Sequence, residues 1–123
     1  MSGEMRFIFR AQDYDAAVAF YRDGLEFPII SSWDRGPTNR GTLFQVGKGV
    51  LEVLSLRPGE EYRSLEGLEL AYEVEDVEAW YERVGEKDLP IIRKLEDKPW
   101  GHRAFSIKDP DALKVMIFTV IEV

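Results

Sequence analysis

From Met5 to Arg10 the chain alternates: Met5, Phe7 and Phe9 fall on one side, Arg6, Ile8 and Arg10 on the other. That period of two predicts a half-buried strand over 5–10. At Asp13 the period changes. Tyr14, Val18, Tyr21 and Leu25 recur at i, i+4, i+7 and i+11, the apolar stripe of a helix. Asp13 is placed to accept a first-turn N–H, and Gly24 is expected to supply the left-handed cap at the other end. Pro28 then opens a strand over 29–33. The run Asp34-Arg35-Gly36-Pro37-Thr38-Asn39 has turn composition, and two strands, 41–46 and 50–56, flank Gly47-Lys48-Gly49.

The same programme then repeats. Leu68, Leu70, Tyr72 and Val74 alternate with Glu69, Ala71 and Glu73. Asp76 stands as a cap, and Val77, Trp80, Tyr81 and Val84 form an apolar helix face before Gly85. Strands are expected at 90–95, 101–108 and 113–120. Asp13 and Asp76 are 63 residues apart, whereas Pro28 and Pro90 are 62 apart, so the halves run one residue out of step. An aspartate start, an aromatic pair and a Pro-Ile-Ile stop recur in order, which marks an internal repeat. One domain over 1–123 is expected, with modules at 4–56 and 68–123 and a polar linker at 57–67.

Composition narrows the functions available. The 123 residues carry 16 Lys+Arg against 23 Asp+Glu, a formal net charge of −7. Such a chain lacks the basic footprint that nucleic acid or an anionic membrane surface requires. Cysteine is absent and His102 is the one histidine, so thiolate chemistry and multi-histidine metal sites are excluded. No apolar run approaches a membrane span, and the opening MSGEMRFIFRAQD has no signal-peptide core. A cytoplasmic protein with neither nucleic acid nor membrane as partner is the expectation.

A tandem strand-helix-three-strand repeat of this length resembles the vicinal oxygen chelate superfamily, which includes glyoxalase I, extradiol dioxygenases and bleomycin-resistance proteins. The residues carrying the resemblance are 13–21, 75–81, the stretch Pro99-Trp100-Gly101-His102-Arg103-Ala104-Phe105, and Asp109-Pro110-Asp111. The last two look most like bleomycin-resistance-type members. The resemblance implies an α+β fold of two βαβββ modules, each a curved mixed sheet backed by one helix, with the sheets facing a shared, barrel-like cup. It also implies a homodimer.

Metal-dependent members place a His or Gln on the first strand of each half and a Glu on the last. The matching positions here are Arg6, Glu52, Glu69 and Met116. Only Glu52 keeps the pattern. Arginine is a permanent cation and cannot ligate a divalent ion, and a thioether is a poor partner for hard metals. No metal and no cofactor are therefore expected. Arg6 is expected between Glu52 and Glu69 as a charge cluster, either orienting a ligand or acting as a buried ion-pair network.

Trp33, Phe44, Trp100 and Phe105 are expected to wall the cup. Trp33 and Trp100, beside loops, are the candidate ligand contacts; Phe105 also fits the core. His102 can in principle shuttle a proton, or simply be a hydrogen-bonded strand residue. The resulting expectation is metal-free binding of a small molecule, cationic or aromatic, of the antibiotic-resistance type. Its alternatives are a metal-dependent lyase, isomerase or dioxygenase, and a non-catalytic regulatory or interaction module with a filled cup. Ligand contacts are expected from Arg6, Trp33, Glu52, Glu69, Trp100, His102 and Met116, with no catalytic residue assigned.

Overall fold

The computed structural model describes residues 3–122; Met1, Ser2 and Val123, which closes the second module as drawn from the sequence, lie outside them. The chain forms two compact units that meet in sequence between Ser64 and Leu65. The first holds β1 (Arg6–Ala11), α1 (Tyr14–Ala19), β2 (Ile29–Asp34), β3 (Arg40–Val46) and β4 (Gly49–Ser55). The second holds β5 (Glu69–Glu73), α2 (Val77–Glu86), β6 (Ile91–Lys98), β7 (His102–Lys108) and β8 (Lys114–Val120). Each is a four-stranded mixed sheet, ordered β1-β4-β3-β2 and β5-β8-β7-β6. In both, the first strand runs parallel to the last and the other pairs are antiparallel. The architecture is α+β with open sheets, and no described helix is long and apolar enough to cross a membrane.

Helix starts are built alike in the two units. The Asp13 carboxylate accepts the Ala16 N–H at 3.1 Å, and Asp76 accepts that of Ala79 at 3.1 Å. Helix ends differ. After α1 the chain makes a π-helical turn over Phe20–Gly24, closed by Leu25 N–H to Phe20 C=O at 3.0 Å. A π turn holds one more residue than an α turn, so the first helical segment absorbs the residue by which the halves are out of step. The left-handed position is Glu26 (φ 58) rather than Gly24, and its counterpart is Asp88 (φ 54). Gly85, expected just past the helix, lies inside α2. In both units the reversal therefore comes beyond the glycine.

Each helix covers one sheet face. In the first unit Tyr21 is fully buried, with Phe20, Phe27 and Phe44 at ring-centroid distances of 4.9, 6.1 and 5.9 Å. In the second, Tyr81 meets Phe105 edge-on at 5.0 Å. Phe44 and Phe105, 0% and 1% exposed, are therefore core residues, though Phe105 also borders a hollow on its own unit. Their cross-strand partners are Leu51 and Ile117, and that parity turns them toward the helix.

The β7–β8 turn is a buried polar structure. Asp109 Oδ1 accepts the N–H groups of Asp111 and Leu113, both at 2.8 Å, while the Asp111 carbonyl accepts Leu65 N–H at 2.7 Å. Asp109→Ala leaves two buried donors unpaired and should cost on the order of 3 kcal/mol in urea unfolding, with Asp109→Asn losing less. At the surface, Arg103 joins Asp97 on β6 to Glu78 on α2. The Arg103 hydrogen bond holds the Asp97 carboxyl below the usual carboxylate range. Because the folded value lies below the unfolded one, this contribution is present above about pH 4 and fades as pH falls further. Asp97→Asn should flatten the acid limb of the urea midpoint between about pH 5 and pH 3; an unchanged slope would show that the bridge adds nothing.

Candidate functional site

With one face of each sheet against its helix, the other face displays the alternate residues. In the first unit, Ile8 and Leu43 flank Glu52 in register across β1, β4 and β3. Arg6 and Arg10 share that face by the period of two. Arg6 Nη1 bonds Glu52 Oε1 at 3.1 Å, and its Nε reaches Glu4. These bonds, Glu4's first, raise the guanidinium's pKa further above its ordinary value. The Glu52 side chain is 15% exposed and that of Arg6 43%, so this is a half-shielded surface pair.

Trp33 is the built feature of this face. It pairs with Gly41 across β2 and β3, and a Cβ on Gly41 would lie 2.3 Å from the indole Cζ2 and Cη2. The ring thus lies directly on the glycine backbone. Its Nε1–H donates to Asn39 Oδ1 at 3.2 Å. The indole forms one wall of a hollow of about 620 Å³ that Glu52, Leu54 and three arginines, Arg10, Arg40 and Arg57, also line. That volume lies in the range of small-molecule sites.

In the second unit Glu69 faces Lys114 across β5 and β8, with Oε2 at 3.4 Å from Nζ. Met116 lies between Ala71 and Ser106 on the same face. Together with Trp100, which is 63% exposed, they line a hollow of about 340 Å³ with Arg93 and Lys98. His102 shares this face but not this hollow. Its ring stacks on Phe118 at 4.3 Å, and its Nδ1 is buried without a hydrogen-bond partner. That setting offers no relay for a proton.

The sequence expectations thus fall into two groups: Arg6, Trp33 and Glu52 in the first unit, Glu69, Trp100 and Met116 in the second. Within its unit Glu52 is paired with Arg6, which also reaches Glu4, and within its own unit Glu69 is paired with Lys114. A divalent ion does not fit either half: Glu52 is bonded to an arginine, Glu69 is held beside a lysine, and Met116 brings a soft sulfur. Among the described residues no three His, Asp or Glu side chains are grouped to hold a metal. The sequence reading missed the cations at Arg10, Arg40, Arg57, Arg93, Lys98 and Lys114. Arg10 was legible, since it alternates in step with Arg6; the others come from separate segments.

These features define a class in which each of two βαβββ modules presents one sheet face to its helix and leaves the other uncovered by it. Residues 6–117 match the family model of the Glyoxalase/Bleomycin resistance protein/Dioxygenase superfamily, and the chain belongs to that superfamily. Similar solved structures include TioX from Micromonospora sp. ML1, with 24% identity, a TM-score of 0.78, and 98% of this chain and 100% of that one covered. TnmS3, an antibiotic binding protein from Streptomyces sp. CB03234, has 23% identity, a TM-score of 0.75, and 98% and 97% covered. Lactoylglutathione lyase from Agrobacterium tumefaciens has 22% identity, a TM-score of 0.72, and 97% and 94% covered. At such identities the likeness is one of fold. A search of curated proteins gave no significant match.

Gly41→Ala tests the indole shelf. In a Trp80→Phe, Trp100→Phe background, where Trp33 alone reports, the added methyl should displace the ring and shift its emission to the red. The far-UV circular dichroism should stay native and stability fall by about 1–2 kcal/mol. Unchanged emission would show that the ring does not rest on the glycine.

Proposed function

We propose that this chain binds a drug-sized small molecule with a planar aromatic part, without a resident metal ion, as a capture protein rather than a catalyst. The observation that carries this reading is the indole of Trp33, fixed by Gly41 and Asn39 at the edge of a ligand-sized hollow. A ring held in place before binding offers a stacking surface at little entropic cost. The exposed Trp100 beside the second hollow offers another. The likeness to an antibiotic binding protein supports antibiotics as the ligand class. A cytoplasmic homodimer sequestering its ligand belongs to the same reading.

Titration calorimetry against antibiotics that carry planar chromophores, with tryptophan quenching in parallel, tests it. At least one should bind at micromolar concentration. Trp33→Ala or Trp100→Ala should weaken that binding about tenfold or more, equivalent to about 1.4 kcal/mol. Prior dialysis against a chelator should change nothing. No binding across the panel, or binding abolished by chelation, would overturn the reading.

A further inference from the structure

The acidic composition conceals the sign of the charge around Trp33. Arg10, Arg40 and Arg57 line that hollow against a single carboxylate, Glu52. Glu52 is in turn bonded to Arg6, which stands outside the lining. The three guanidiniums are engaged to different degrees. Arg10 gives Nη1 to the Ser55 carbonyl at 2.9 Å and has Nε 3.3 Å from Glu60. Arg40 bonds Asp15 at 3.0 Å and stacks on Tyr14, its carbon Cζ 4.5 Å from the ring centroid. The Arg40 Nε is buried with no hydrogen-bond partner. Among the described residues the Arg57 guanidinium has no partner; its backbone N–H alone is engaged, by Glu60 Oε1 at 2.9 Å. The second unit's hollow has the same excess, with Arg93, Lys98 and Lys114 against Glu69.

A cation entering the first hollow would meet one carboxylate already bonded to Arg6, two guanidiniums each paired with a carboxylate of their own, and the unpaired guanidinium of Arg57. An anion would meet the Arg57 guanidinium with all its donors unused, in a hollow that Arg10 and Arg40 also line, with the buried Arg40 Nε still without a partner. Guanidinium and carboxylate match as two-point hydrogen-bond partners, and a concave, partly shielded setting strengthens the attraction. We propose that the Trp33 hollow is a site for aryl carboxylates: the flat ring lies on the indole, and the acid group bonds Arg57 within the field of Arg10 and Arg40. The inference rests on the small-molecule reading above and names the ligand class for that site. It replaces the cationic guest that Glu52 and Glu69 suggest when read as free carboxylates.

Three probes that share one ring separate the possibilities: anthracene-9-carboxylate, 9-anthracenemethanol and 9-(aminomethyl)anthracene as its ammonium. Binding to the intact protein is followed by probe fluorescence and calorimetry at low salt and at 0.5 M salt. The carboxylate should bind about tenfold or more tighter than the ammonium, with the gap narrowing at high salt. Arg57→Gln should bring the carboxylate to the affinity of the alcohol, leaving the alcohol within about twofold. Trp33→Ala should weaken all three. An ammonium that binds as well as the carboxylate, a carboxylate preference that survives Arg57→Gln, or affinity indifferent to Trp33→Ala overturns the anion site. In those cases, probe binding itself leaves the small-molecule reading standing. If no probe binds, the anion site fails, and the small-molecule reading stands or falls on the antibiotic panel.

Discussion

One helix can cover one face of a four-stranded sheet, and each half of this chain has one helix for four strands. Everything else follows from which residues that helix claims. In the first unit α1 and its π turn bring Tyr21 down on Phe44; in the second α2 brings Tyr81 down on Phe105. Because side chains alternate strictly along a strand, fixing Phe44 and its partner Leu51 inward fixes Glu52 and Leu43 outward. A slip of one residue in β4 would bury Glu52 against the aromatic cluster and expose Leu51, which no ion pair could offset. The chemistry of the open face is thus a by-product of core packing. It is as rigidly registered as the core itself.

The same constraint explains the irregular turn after α1. The first half has one more residue than the second between its capping aspartate and its Pro-Ile-Ile segment. Extending β2 by that residue would reverse its faces. The helix end is a cheaper place for it, since a π turn changes a few hydrogen bonds there. Phe27 N–H reaches Tyr21 C=O where, in the second unit, Leu89 N–H reaches Val84 C=O, one residue closer in sequence. Both units then resume in step, with Glu26 and Asp88 in the left-handed conformation two residues before a proline.

Much of this was legible beforehand. Alternation placed the eight strands and two helices within a few residues, and the repeat gave the architecture. The offset of 63 against 62 was visible too, but sequence alone did not say where the extra residue sits. A π turn leaves no mark in a pattern of period 3.6, and a glycine in a plausible capping place drew the boundary to itself. Phe44 failed for a related reason. Its strand is legible, but which face of that strand it takes is set by pairing with Leu51. For the site, Arg6 beside Glu52 was legible because both fall on positions that match the ligand pattern of the resembled family, and the parallel pairing of β1 with β4 brings them together. The Lys114 partner of Glu69 required the register of β5 against β8. Arg40 and Arg57 lie outside any shared stripe, on a strand start and a loop, and only the folded unit brings them beside Arg10.

Net charge misleads for the same reason. Of the 23 acidic residues, Asp13 and Asp76 cap helices, Asp97 and Glu78 pair with Arg103, and Asp15 pairs with Arg40. What a ligand meets is the residue left over on the open face after those local obligations are met. In the first unit, Glu52 is committed to Arg6 while the Arg57 guanidinium has no partner among the described residues. A formal charge of −7 therefore describes how this protein meets bulk solvent and distant partners. At ligand distance the unpaired Arg57 guanidinium sets the sign in the Trp33 hollow, since an ion within a few ångströms outweighs screened charges a Debye length away.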